Sequence, residues 1–152
     1  MDHPGEKPKE EAEVKWDRVL TKSLFLFLID VEVKRARRYQ NFLCILTLKL
    51  SALSKDESGD LPTCYQMLTN LLTEEIRETD IIGQLSTDMV GVLLPYADVS
   101  AGNDAISRFE HTLKYLDFNH KGYEVMIDQV SFPAHETNTE SLVKRVLEPG
   151  RS

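Results

Sequence analysis

The sequence predicts an α+β fold, an α/β sandwich in which helices pack on one central, mainly antiparallel sheet. Two observations predict it. Residues 77–95, RETDIIGQLSTDMVGVLLP, read as a helix end, an apolar strand, a short polar turn and a second apolar strand. On either side lie amphipathic helical segments and further apolar runs of strand length, so strand, helix, hairpin, helix and strand follow in order.

Residues 1–15, MDHPGEKPKEEAEVK, are rich in Pro, Lys and Glu and predict a flexible lead-in to a domain spanning 16–148. Residues 16–40 predict a helix with Leu20, Leu24, Phe27, Leu28, Val31 and Ala36 on one stripe. Arg and Lys crowd its C-terminal end, where the helix dipole favours cations. The run LFLFLI within it also fits a strand. Residues 42–53, FLCILTLKLSAL, begin as a continuous apolar run and then alternate, as a central strand does. A polar loop at 54–61 leads to a helix at 62–78, with Pro62 in its first turn and Tyr65, Leu68, Leu72 and Ile76 along one face. The hairpin strands are 81–85 and 90–94. A third helix at 99–116 presents Ala105, Phe109, Thr112 and Leu116. Lys121 and Gly122 turn the chain into a strand at 123–132, with Val125, Ile127 and Val130 directed to the core and Pro133 ending it. Residues 139–147 form the last helix, with Thr139 as its cap.

A formal charge of −7 over 152 residues argues against a nucleic-acid partner, because a phosphate backbone needs a basic face. The basic run Lys34, Arg35, Arg37 and Arg38 reads as a solvated helix face. Residues 1–15 lack the apolar core of a signal peptide, and Leu24 to Ile29 is too short to span a bilayer, so a cytoplasmic location without membrane insertion is expected. Cys44 and Cys64 have no metal-ligand spacing and read as buried free thiols. His111, His120 and His135 show no pairing at metal spacing, and no metal or cofactor is expected.

Several segments resemble the GGDEF, or diguanylate cyclase, family. RARRY before the first strand is similar to that family's first helix. The hairpin can be laid without a gap on R-x-x-D, five residues, G-G-D-E-F and an apolar strand ending in L-P. Residues 105–113 occupy the place of the family's A-E-R-I-R helix, and SFP followed by TESLVKRV resembles its last strand and the start of its last helix. The resemblance implies a nucleotidyl-cyclase-like palm.

The departures imply a degenerate member. Ser86 and Thr87 stand where the family's signature glycines let the backbone approach a phosphate. Asp88 keeps the acid, but Met89 and Val90 replace the second acid and the aromatic. Lys49, with Ser51 two residues on, falls where the first strand of a cyclase supplies a metal-binding Asp, and an ammonium there repels Mg²⁺. The base-reading loop is shortened to SKDESGDLP, in which Asp56 and Asp60 are unaligned acids, and the closing A-L-Y-x-A-K helix is absent. Catalysis is therefore not expected, and Asp88 reads as a turn-former.

What survives is Arg77 and Asp80, five residues ahead of the degenerate turn, with Arg108 on the following helix. In the family such a set forms an inhibitory site for a cyclic di-GMP dimer. An Arg can fork onto phosphate or stack on guanine, and an Asp can accept from guanine N–H groups. Alternatively, Arg77 interacts with a helix C-terminus and Asp80 pairs with it. Two functions stay open. The chain is a non-catalytic cyclic di-GMP receptor acting on a partner or on its own assembly, or it is a pseudo-enzyme used as a protein-interaction or dimerisation module through the helix at 16–40.

Overall fold

The computed structural model describes residues 18–54 and 59–149. The lead-in expected at 1–15, and Asp56, lie outside the described residues. The elements are β1 (Val19–Leu20), α1 (Lys22–Tyr39), β2 (Leu43–Ala52), α2 (Leu61–Glu75), β3 (Ile81–Gln84), β4 (Met89–Pro95), α3 (Val99–Leu113), β5 (Tyr123–Phe132) and α4 (Thr139–Leu147), with a 3₁₀ turn at Asn119–Lys121. They form one five-stranded sheet in the order β1-β3-β4-β2-β5. The pairs β3/β4, β4/β2 and β2/β5 are antiparallel and β1/β3 is parallel, so the α+β sandwich read from the sequence is the fold observed.

Strand alternation divides the core in two. Cys44, Leu46, Leu48 and Leu50 of β2 face α2 and α3, where Leu68, Leu72 and Phe109 close the layer. Leu43 and Ile45 face the other way, against α1 and α4, with Phe25, Ile29, Leu142 and Val146.

The helix ends have local causes. Asp60 is not a stray acid: its Oδ1 accepts from the Thr63 N–H at 3.2 Å, capping α2, and Pro62 sits in the first turn. Asp98 caps α3 by accepting from the Ala101 N–H at 2.9 Å. The cap of α4 is Asn138, whose Oδ1 accepts from the Ser141 N–H at 2.8 Å, and Thr139 lies inside the helix. Asn offers its acceptor at the geometry a cap needs, so the boundary falls one residue earlier than Thr139 suggested.

The largest correction concerns α1. Residues 16–40 do not form one helix: Val19 and Leu20 pair with Ile82 and Gly83 in the sheet, and Thr21 caps a helix that starts at Lys22. Its buried face is Phe25, Ile29, Val33 and Ala36, while Leu24, Phe27 and Val31 are 44%, 61% and 40% exposed. The cause lies in the hairpin. A Cβ on Gly83 would stand 2.2 Å from Cγ of Phe25, and one on Gly91 would stand 2.7 Å from its Cε2. Gly83 and Gly91 are directly paired across β3 and β4, so the two missing side chains make one slot that takes the Phe25 ring. That seat rotates α1 so that Phe25, and not its neighbour Leu24, faces inward.

This joint is testable by urea unfolding. Gly83→Ala is expected to cost about 1–3 kcal/mol through overpacking. Phe25→Ala is expected to cost about 3–5 kcal/mol. Because the methyl and the ring compete for one space, Phe25→Leu with Gly83→Ala should cost clearly less than the sum of its single changes.

Candidate functional site

The hairpin tip joins β3 to β4 through Leu85 to Asp88, and its geometry is set by its own side chains. Leu85 and Ser86 donate their N–H groups to the Met89 carbonyl at 2.9 and 3.1 Å. Ser86 Oγ donates to Asp88 Oδ1 at 2.6 Å and lies 3.4 Å from the Asp88 N–H. The Asp88 carbonyl accepts from the Leu50 N–H at 2.8 Å, tying the tip to β2. Asp88 is therefore engaged in its own turn, as its position implied. Met89 and Val90 are buried in β4 on opposite sheet faces. Ser86 and Thr87 are exposed. Lys49 of β2 is exposed and lies directly opposite Met89, so the ammonium shares the sheet face beside the tip.

Tyr65 of α2 reaches this region, its hydroxyl 3.5 Å from the Met89 carbonyl. Burial, and then the nearby Asp88 charge, push its phenol up to about 12. Its role escaped the sequence reading, which treated Tyr65 only as part of a core stripe.

The Arg77 to Asp80 segment is a tight turn beyond the end of α2, which stops at Glu75. The sequence had carried that helix to 78. The Asp80 N–H donates to the Arg77 carbonyl at 3.0 Å, and the Arg77 N–H donates back to Asp80 Oδ2 at 2.9 Å. Arg77 Nε lies 3.5 Å from the same oxygen. The Asp80 side chain is fully buried while that of Arg77 is 64% exposed. Arg18, just before β1, donates to the Asp80 carbonyl at 3.2 Å. Asp80 Oδ1 is buried and has no hydrogen-bond partner among the described residues. An acceptor left in that state costs about 1–3 kcal/mol. Arg77 and Asp80 are thus brought together. Among the described residues no hydrogen bond or ion pair joins Arg108 to either. It is exposed on α3 one turn before Thr112, whose Oγ1 donates to Glu75 Oε1 at 2.7 Å. That spacing of four residues puts Arg108 about 6 Å along the helix from the α2/α3 contact.

Elsewhere, Cys44 and Cys64 are buried free thiols. Cys44 Sγ lies 3.0–3.3 Å from oxygens of Ala97, Asp98, Gln129 and Ser131, and burial raises its pKa. No helix among the described residues is long and apolar enough to cross a membrane.

No protein-family model matches the chain, and no curated protein sequence is significantly similar to it. Solved structures are. A DGC protein from Thermotoga maritima superposes with a TM-score of 0.73 at 20% identity, covering 87% of this chain and 98% of that one. The fold is that of a GGDEF domain. The GGDEF domain of YfiN (TpbB) from Pseudomonas aeruginosa gives 0.72 at 15% identity, covering 84% of this chain and 85% of that one. The GGDEF domain of DgcB from Caulobacter crescentus, in complex with c-di-GMP, gives 0.65 at 10% identity, with 88% and 85% covered.

The tip has a measurable pH signature. The folded pKa of Tyr65 lies above the ordinary value of 10, so folding favours the neutral phenol. That contribution is complete below about pH 10 and is lost as the pH rises through about 12. The urea midpoint of the wild type should therefore fall more steeply across this window than that of Tyr65→Phe.

Proposed function

We propose that this GGDEF-fold domain is a non-catalytic receptor for cyclic di-GMP, taken up at the Arg77–Asp80 turn, through which it regulates a protein partner or its own assembly. The observation that carries the reading is the division of labour in that turn. A buried carboxylate, Asp80, holds the Arg77 N–H and stands 3.5 Å from Nε of its exposed guanidinium, with one oxygen uncommitted among the described residues. A guanidinium held in place loses less entropy on engaging a phosphate or a guanine edge than a free one does. Arg77 is the contact residue in this reading, Asp80 positions it, and Arg108 supplies a second cation from α3. The c-di-GMP complex of a protein with the same fold supports the ligand class.

The hairpin tip supports the absence of turnover. Magnesium sites are built from oxygen ligands near octahedral geometry, usually carboxylates, phosphates and water. Here the tip offers one carboxylate, already bonded by Ser86, with an ammonium opposite Met89 and a thioether at the next position. These residues do not fit the metal that a cyclase uses. The Ser86 and Thr87 side chains also occupy the positions where glycines would let the backbone approach a phosphate.

A second reading has its own observation. Leu24, Phe27 and Val31 form an exposed apolar stripe along α1, and Lys34 and Arg38 follow it. Such a stripe suits an interaction module with an acidic amphipathic helix as partner.

Calorimetry separates the two. Cyclic di-GMP should bind the wild type in the micromolar range, and Arg77→Ala should lose binding with a smaller loss of stability than Asp80→Ala, because it removes the cation beside the buried carboxylate but keeps the backbone N–H bond to it. Asp80→Ala should lose binding and stability together. No heat with the wild type would refute the receptor and leave the interaction module. With GTP and Mg²⁺ the wild type is expected to make no cyclic di-GMP, and any product would refute the claim of inactivity.

A further inference from the structure

β5 closes the sheet at one side and is paired only with β2 among the described residues, over all ten of its positions. In an antiparallel strand every second residue points its N–H and C=O away from its neighbour; Tyr123 and Ser131 donate their outward N–H groups to Phe118 and His135, so the stretch of β5 open to another strand is the middle one, Val125, Ile127 and Gln129. Beside its first half, between it and the C-terminal turn of α3, runs a groove of about 450 Å³. Leu113, Leu116, Val125 and Ile127 give it an apolar wall. Its charged members are Glu110, Asp117 and Glu124 against a single Lys114. None of these groups takes part in the Arg77–Asp80 turn or in the hairpin tip.

We infer that this edge and groove receive an extended, basic peptide segment of a partner protein, added to the sheet as a sixth strand next to β5. Main-chain hydrogen bonds supply affinity in this mode, and alternate side chains supply specificity. Apolar side chains of the segment enter the groove, the alternate Lys or Arg side chains lie on the sheet face of Glu124 and Asp128, and Glu110 and Asp117 add negative charge at the groove rim. The same carboxylates argue against a second copy as occupant. A second copy of a chain with a formal charge of −7 would bring further acids to an edge already rich in them.

The test uses a fluorescein-labelled, end-blocked peptide of about a dozen residues alternating valine and lysine, a length set by ordinary strand dimensions. Anisotropy should report saturable binding. A version with two central valines replaced by proline keeps the charge but loses ladder donors, and should bind at least about 10-fold more weakly. Asp117→Lys with Glu124→Lys should weaken binding to a similar degree. Both positions are exposed, so the fold should hold. If that variant unfolds, Lys114→Glu serves instead and should tighten binding. Amide exchange on binding should slow in 123–132 and not in α1. Absence of binding, equal binding of the proline peptide, or protection elsewhere would overturn the inference. So would a dimer of the free protein that by itself slows amide exchange in 123–132, because a second copy would then hold the edge.

Discussion

The seat of the Phe25 ring on Gly83 and Gly91 is the contact on which the rest of this structure depends. It fixes the rotation of α1, and so decides which of its apolar side chains enter the core. It also holds β3 and β4 against the helix layer at the middle of the hairpin. The residues that define both candidate regions are then placed by short connections: Asp80 sits immediately before β3, and the tip follows immediately after it. Burying a phenylalanine side chain is worth about 1.5–3 kcal/mol from transfer alone. Here the same ring also sets a register, because no other side chain of α1 could fill that slot without turning the helix.

The sheet separates two kinds of surface. On the α1 side, exposed apolar groups are followed by bases. On the α2 and α3 side, a groove beside the strand edge carries an excess of acids. The Arg77–Asp80 turn lies where α2 hands the chain to the sheet. These surfaces and the turn are separate from one another and from the hairpin tip.

Much of this was legible in the sequence. The hairpin, β2 and β5 announce themselves through strand-length apolar runs bounded by turn residues, and α2 and α3 through a period near 3.6. The buried stripe of α1 was not, because LFLFLI puts apolar side chains on every face and the choice among them is made by two glycines some sixty residues away. The signal was present in another form. A glycine inside each strand of one hairpin, at mirrored distances from the turn, marks a close approach by something large. Asp80 shows a different limit. Its place in R-x-x-D is plain from the sequence, but its complete burial beside an exposed Arg77 is a property of the packed turn.

The hairpin tip carries one further consequence, for how freely this sequence can change. The bonds that fasten it to the sheet run largely through the backbone of Asp88 and Met89, while the side chains of Ser86 and Thr87 project into solvent. A substitution at Ser86 loses only bonds within the turn, to Asp88, whereas a single methyl group at Gly83 or Gly91 meets the Phe25 ring in the core. The letters of the tip can thus change at less cost than those of the slot beneath it, and the architecture stays.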